Sequence, residues 1–331
     1  MLFKLFVITE LEVLFDRDRL FKPLRRSVQT LRLRHSNFNN ADRVAIRLQV
    51  SPQLIEPYYP KEGNGRPPVG LGIMLRIYFL QHWFNLSDPA AEEALYDSPA
   101  LRRFAGVDLG RAPAPDETTI LNFRHLLERH DLCAAMLDAV NHYLEDRGIR
   151  IGTGTIVDAT IIHAPSSTKN ATGSRDPEMH QTRKGNQWYF GMKAHIGVDS
   201  KEGHIHSVCS TAASVADKHM LPDLLHGQER KVWGDGGYQG QGETIRAAAP
   251  HAQDMTSRRT RYGKRVDEVQ RRKNRTKARV PAKVEHPFRI WKRVFGFVKV
   301  RFRGLKKNHD HLCAAFALVN LYMHRKRLAP L

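Results

Sequence analysis

Three carboxylates stand where a carboxylate is either costly or conspicuous. Asp158 sits in the middle of TIVDATII, a β-branched apolar run. A lone buried carboxylate there costs several kcal/mol unless it is paired, protonated or metal-bound. Asp235 ends the run KVWGD and precedes Gly236-Gly237. At such a turn a strand can leave a side chain at the sheet edge, where α/β proteins hold their ligands. Glu285 is the one acid in PAKVEHPFRIWKRVFGFVKVRFRGLKK, residues 281–307. Two strand acids and a helical acid make a hard-oxygen site suited to Mg²⁺ or Mn²⁺. Two such ions can activate a water or hydroxyl and stabilise the leaving oxygen of a phosphodiester. Each acid has a plainer reading: strand polarity, a turn cap, or an i,i+4 ion pair with Arg289 worth a few tenths of a kcal/mol. Their combination with focused positive charge outweighs those readings.

That charge is unevenly placed. The formal net charge is +19 over 331 residues. Residues 256–307 hold 20 Lys and Arg against three acids, and residues 1–50 hold ten against five, so the rest is near neutral. Such a segment attracts a polyanion, with nucleic acid the default partner. Aromatic residues interleave the cations (Tyr262, Phe288, Trp291, Phe295, Phe297, Phe302) and argue for an ordered surface over a solubilising tail. The apolar runs are short and broken by charge, so no membrane span is expected. MLFKLFVITELEVLF makes a poor signal peptide. Cys133, Cys209 and Cys313 are far apart and in no metal-like spacing, which fits core thiols in a reducing cytosol.

The elements that must position these groups are legible from 53 onwards. Residues 1–52 carry no clear pattern, and low order is expected there. QLIEPYYPKEGNGRP (53–67) reads as a linker. Residues 53–149 form an all-helical domain, with helices over 71–85, 88–96, 98–106, 116–130 and 132–148. Its first helix is apolar nearly all round and so buried; Asp88 and Asp116 are N-caps and Gly148 is a C-terminal cap.

From 150 to 331 the period changes. Strands are expected over 154–163, 187–198 and 204–213, the last two joined by the turn DSKEG and therefore antiparallel. A helix over 216–227, kinked at Pro222, then leads to a short strand ending near Asp235. A short helix follows (242–249), and then a basic insertion over 256–280. The helix that carries Glu285 has Arg289 and Lys292 on its polar face and Val284, Phe288, Trp291 and Phe295 on its apolar face. An amphipathic helix over 309–327 closes the chain. The fold class is α/β: a mixed sheet flanked by helices behind an all-helical N-terminal domain.

LIEPYYPK (54–61), MLRIYFLQHWFNLSDPAAEEALYDS (74–98), RRFAGVDL (102–109), PDETTILNFRHLLERH (115–130), VDATIIHAPSSTKN (157–170), GDGGYQG (234–240) and VEHPFRIWKRVFGFVKVRFRGLKKN (284–308) together resemble the DDE transposases of bacterial insertion sequences, in the branch called the IS-five family within the IS-four-like superfamily. The resemblance runs from about Leu54 to the C-terminus. It implies a ribonuclease-H-like catalytic domain with its acid triad at Asp158, Asp235 and Glu285, holding two Mg²⁺ (or Mn²⁺) ions. It also implies cleavage at the element's ends and strand transfer into target DNA. The superfamily signature Tyr-x2-Arg-x3-Glu-x6-Lys is met at Glu285 and Lys292; Ala278 and Pro281 stand at its Tyr and Arg positions. A DNA-binding protein that keeps this fold without its activity is therefore the second reading. A plain nuclease is the third.

DNA contacts are expected from Arg289, Lys292, Arg293, Arg301, Arg303 and Lys306. Tyr238 is expected to stack on a base or bond a phosphate. His163, Lys193 and His195 are weaker candidates, and Asp199, Asp217 and Asp223 read as turn and cap residues. The loop 166–185 reads as mobile or DNA-contacting. The family implies a homodimer or higher assembly in a synaptic complex, in the bacterial cytoplasm and associated with the nucleoid.

Overall fold

A computed structural model describes residues 50–64, 67–171, 173–262, 265–277 and 281–328. The expectation for residues 1–52 falls almost wholly outside these, as does Ala278. The segment read as a linker begins as helix α1 (Val50–Ile55) and a 3₁₀ turn, Glu56–Tyr58. Ile55 is wholly buried, so this stretch is anchored in the core.

Five helices follow as expected: α2 (Leu71–Phe84), α3 (Asp88–Asp97), α4 (Pro99–Ala105), α5 (Glu117–Arg129) and α6 (Leu132–Asp146). Helix α2 buries Met74, Leu75 and every residue from Ile77 to Trp83. Asp116 caps α5, its Oδ1 accepting from Thr119 N at 2.6 Å. Gly148, at φ +76°, closes α6, and Ile149 N donates to Leu144 O at 2.9 Å. One cap differs: Ser87, not Asp88, caps α3, its Oγ accepting from Ala90 N. Asp88 is left free to take Gln81 Nε2 at 2.8 Å and Arg124 at 2.9 Å, and so ties three helices together.

The sheet contains β1 (Gly154–His163), β2 (His180–Lys184), β3 (Gln187–Asp199), β4 (Ile205–Ala212), β5 (Lys231–Trp233) and β6 (Gln253–Asp254). Strands β2, β3, β1, β5 and β6 lie side by side in that order, and β4 also pairs with β3. The β1–β3, β2–β3 and β3–β4 pairings are antiparallel; β1–β5 and β5–β6 are parallel. Strand β2 lies inside the stretch read as a loop. HQTRK is polar throughout, and a ribbon exposed on both faces leaves no alternation to detect. The helix expected over 216–227 is instead two 3₁₀ turns, Asp217–Met220 and Pro222–Leu224. Pro222 has no N–H with which to continue a helix.

The two sheet faces build different cores. Met192, Ala194, Ile196 and Val198 of β3 join Ile156 and Ile162 of β1 in a large core that also holds side chains from Ile55 to Leu328. On the other face Val157 packs with Leu221, Leu224, Val232, Tyr238 and Ile245. Between sheet and helices runs the C-terminal helix. Helix α7 (Gly242–Ala248), helix α8 (Glu268–Lys277) and helix α9 (Glu285–Arg289) precede it, and α10 (Leu305–Leu328) is the last. The sequence predicts an amphipathic helix at 309–327, yet every residue from Asp310 to Leu321 is buried. Ala314, Ala315 and Ala317 allow close approach on several sides at once. Asn320, wholly buried, accepts from Ile205 N at 2.8 Å and donates to Ile205 O and to Asn141 Oδ1. This one amide joins α10, β4 and α6, each of its polar atoms satisfied as burial demands.

The basic segment is not one helix to residue 307. A 3₁₀ turn (Pro281–Val284) leads into α9, which widens into a π-helical turn at Ile290–Val294 and stops at Gly296, φ +76°. The expected apolar face is buried as its spacing requires: Val284, Phe288, Trp291 and Phe295 are each under a tenth exposed. The chain then passes the end of β1, where Val300 N donates to His163 O at 2.8 Å.

Candidate active site

The parallel register of β1 and β5 brings two of the acids together. Ile156 pairs with Trp233 as the last aligned pair, so Asp158, still within β1, and Asp235, just past the end of β5, each lie two residues further on. Asp158 Oδ1 accepts from Ala159 N at 2.8 Å. Asp235 Oδ1 accepts from Gly237 N at 2.8 Å and caps the turn Gly236–Tyr238. Burial pushes the Asp158 carboxyl up to about 6; the Ala159 N–H and Lys184 oppose this, and the charges of Asp235 and Asp217 add to it. Two neighbouring oxygen donors, one with its carboxyl held high chiefly by burial, fit a divalent cation.

Glu285 does not join them. It is exposed at the start of α9 and makes no hydrogen bond or ion pair among the described residues. Among the described residues no three His, Cys, Asp or Glu side chains gather closely enough to hold a metal ion. Two anchors explain its position. Lys283 Nζ donates to Ser200 O at 2.7 Å, beside the start of β1, and Lys292 Nζ donates to Thr160 Oγ1 at 2.5 Å, two residues beyond Asp158. Glu285 lies between them, seven residues and roughly 10 Å of helix before Lys292.

The remaining expected residues separate into surface and interior. Arg289 and Arg293 are exposed and unpaired among the described residues. Arg303 is exposed and reaches Ser174 Oγ; Lys306 is exposed and pairs with Asp131. Arg301 is a correction: its guanidinium donates to the carbonyls of Asn85 and Leu86, at 2.6 Å each, and straps the segment after α9 to the end of α2. Tyr238 is another: at 1% exposure it packs in the smaller core, so its ring is closed to a base. The Tyr238 hydroxyl is buried without a hydrogen-bond partner among the described residues, and after burial itself the charges of Asp217, Asp158 and Asp235 raise it far above the usual phenol range.

Sequence reasoning missed Asp217. A methyl placed on Gly237 would lie 3.0 Å from Asp235 Oδ1 and 3.7 Å from Asp217 Oδ2, so both acids flank the same turn. Lys193 Nζ neutralises Asp217 at 2.8 Å and also donates to Val215 O. His195, wholly buried, bonds Thr211 Oγ1 at 2.8 Å, and burial pushes its imidazole down to about 4. The available signal was the alternation of β3, which sets Lys193 and His195 on one polar face against an unbroken apolar one.

A family model described as "Transposase DDE domain" matches residues 150–321, more than half of the chain, and one described as "Transposase domain (DUF772)" matches residues 34–126. The chain belongs to the DDE transposase family. Its catalytic part is therefore ribonuclease-H-like, and the enzyme is a polynucleotidyl transferase or endonuclease. Transposases of this kind bind DNA and generally use divalent metal ions. Among the described residues no helix is long and apolar enough to cross a membrane.

Proposed function

We propose that this transposase cuts at the ends of a bacterial insertion sequence of the IS-five family and joins the freed 3′-hydroxyl to target DNA. The observation that carries this reading is the parallel register that sets Asp158 beside Asp235 at the end of β5. Asp158 and Asp235 would hold Mg²⁺ or Mn²⁺, with Glu285 as the third ligand. When bound, the ions supply Lewis acidity and a more acidic attacking water or hydroxyl. The chain's own residues do the rest. The exposed guanidinium groups of Arg289 and Arg293 bind phosphates on the strand passing the acids. Lys292, through Thr160, holds the Glu285 helix along β1. Arg303 and Lys306 extend the cationic path. Helical residues 53–149 and catalytic residues 150–331 act in a homodimer or larger synaptic complex on the nucleoid, in the cytoplasm.

The test is incubation of purified protein with a duplex carrying the element's ends, with Mg²⁺ and with chelator. Cleavage at the ends that needs Mg²⁺ is expected. Binding without cleavage would favour the non-catalytic relative with the same fold, and cleavage of any duplex would favour a plain nuclease.

A further inference from the structure

A cavity of about 560 Å³ opens between α2, α5 and the segment that follows α9. His82 of α2, Arg124 of α5, and Lys299, Arg301 and Phe302 help to line it. It stands apart from the acid pair. Lys299 bridges to His163 at the end of β1, five residues and roughly 16 Å of strand beyond Asp158. The cavity carries excess positive charge. Asp88, the only acid among the described residues that line it, is already held by Gln81 Nε2 and Arg124. Arg301 is partly buried, and the two carbonyls it holds satisfy N–H groups without neutralising its charge. Lys299 is exposed and unpaired among the described residues. Two nitrogens are also left over. His82 and Arg124 are 5% and 8% exposed, and His82 Nδ1 and Arg124 Nε are buried with no hydrogen-bond partner among the described residues. The His82 ring is held in place by stacking on His311 at 4.3 Å, which in turn stacks on Phe297 at 5.2 Å.

We propose that this cavity binds a small organic phosphate of mononucleotide size. Buried polar groups are normally paired, and a buried charge without a counter-charge is costly, so the lining favours an anion that accepts hydrogen bonds. Guanidinium and ammonium groups suit phosphate in particular. The volume lies within the range of small-molecule sites, about 300–1,000 Å³, and is far larger than a bare ion fills. Tyr78, Val298, Val300 and Phe302 supply apolar wall for a ring or sugar body. The Arg124 guanidinium stands 4.3 Å over the Phe302 ring, which fixes that part of the wall. The unpartnered His82 nitrogen lies among side chains that are each under a tenth exposed, Tyr78 and His311 included, where a whole small molecule fits and a passing DNA backbone does not. Such a ligand would tie two helices to the basic segment and so raise thermal stability. This inference does not depend on the cleavage reading.

The experiment titrates the full chain with adenosine monophosphate, adenosine and inorganic phosphate by calorimetry, and follows melting temperature in parallel. Adenosine monophosphate should bind more tightly than either fragment and raise the melting temperature with concentration. Val298 is 75% exposed at the cavity rim, so a charge placed there tests the sign of the ligand without disturbing the fold. Val298→Glu should weaken binding severalfold, and Val298→Lys should preserve or improve it. Lys299→Ala should weaken it by up to about fivefold, the worth of an exposed ion pair. His82→Phe keeps a ring of similar size and should weaken binding roughly tenfold, as for a lost hydrogen bond to a charged group. Circular dichroism checks folding, and the two surface positions keep the test alive if His82→Phe fails to fold. No binding of adenosine monophosphate by wild type at millimolar concentration would overturn the proposal. So would equal affinity in Val298→Glu and Val298→Lys. If His82→Phe lowered affinity for a DNA duplex as much as for the nucleotide, the cavity would belong to the DNA path and the proposal would fall.

Discussion

At the scale of single residues, Asp158 bears the highest cost and offers the sharpest test. Its carboxyl is pushed up to about 6 by burial, with Asp235 and Asp217 adding to the effect. A bound cation would remove that penalty, and an amide cannot replace the lost ligand. Asp158→Asn and Asp235→Asn should each lower Mg²⁺-dependent cleavage on the order of 10²-fold or more while DNA binding persists. Asp217 predicts a subtler result. Lys193 neutralises it next to the turn that presents Asp235. Lys193→Met leaves that acid unpaired beside the pair, so cleavage should fall, and it should recover in part when Asp217→Asn is added. A double-mutant cycle in cleavage rate checks this; strict additivity would contradict it.

Elements explain which parts were legible. Strand β1 was expected at 154–163 and is Gly154–His163, because a β-branched run with one misplaced acid has few other readings. The buried faces of β3 and α9 followed their alternation and helical spacing. Other features depended on tertiary context that no local pattern carries. Strand β2 is held by its partner rather than by its own residues. Helix α10 looked amphipathic because its buried polar groups, Asn320 among them, are satisfied by strands and helices distant in sequence. Asp158 and Asp235 were expected from sequence as site acids, and the β1–β5 register puts both two residues beyond the last aligned pair. The position of Glu285 was not legible, since it depends on Lys283 bonding Ser200 O and Lys292 bonding Thr160 Oγ1, partners far away in sequence.

Two predictions belong at this scale. Trp291 is 1% exposed and stacks on Phe297 at 4.4 Å, so Trp291→Ala should cost about 3–5 kcal/mol in denaturant unfolding. Asp310, buried on α10, has its carboxyl raised from 3.8 to about 6 by burial; Lys306 opposes this, and Asp131 and Glu128 add to it. A raised carboxyl binds its proton more tightly when folded. Its stabilising contribution is therefore complete below about pH 3.8 and is lost as pH rises through about 6. Asp310→Asn should flatten that part of the stability–pH curve, and an unchanged curve would contradict the assignment.

The whole molecule is an electrostatic device as well as a fold. Its helical and sheet regions share one core from Ile55 to Leu328, which takes in Val284, Phe288, Trp291, Phe295 and Val300 of the basic segment. Cations in residues 256–307 outnumber acids 20 to three, so binding should involve many phosphates. Affinity for any duplex should fall roughly 10³-fold between about 50 and 200 mM salt. Arg289→Ala and Arg293→Ala should each lower the slope by about one, equally for specific and unrelated DNA.

The central claim is that three acids from two strands and a helix cut DNA together, although Glu285 stands apart from the other two in the protein alone. The most direct measurement is Mg²⁺-dependent cleavage of a duplex carrying the element's ends by wild type, Asp158→Asn, Asp235→Asn and Glu285→Gln, with binding followed in parallel. The account predicts that all three variants bind normally and fail to cut. Undiminished cutting by Glu285→Gln would remove the helix from the site, and undiminished cutting by Asp158→Asn would contradict the account as a whole.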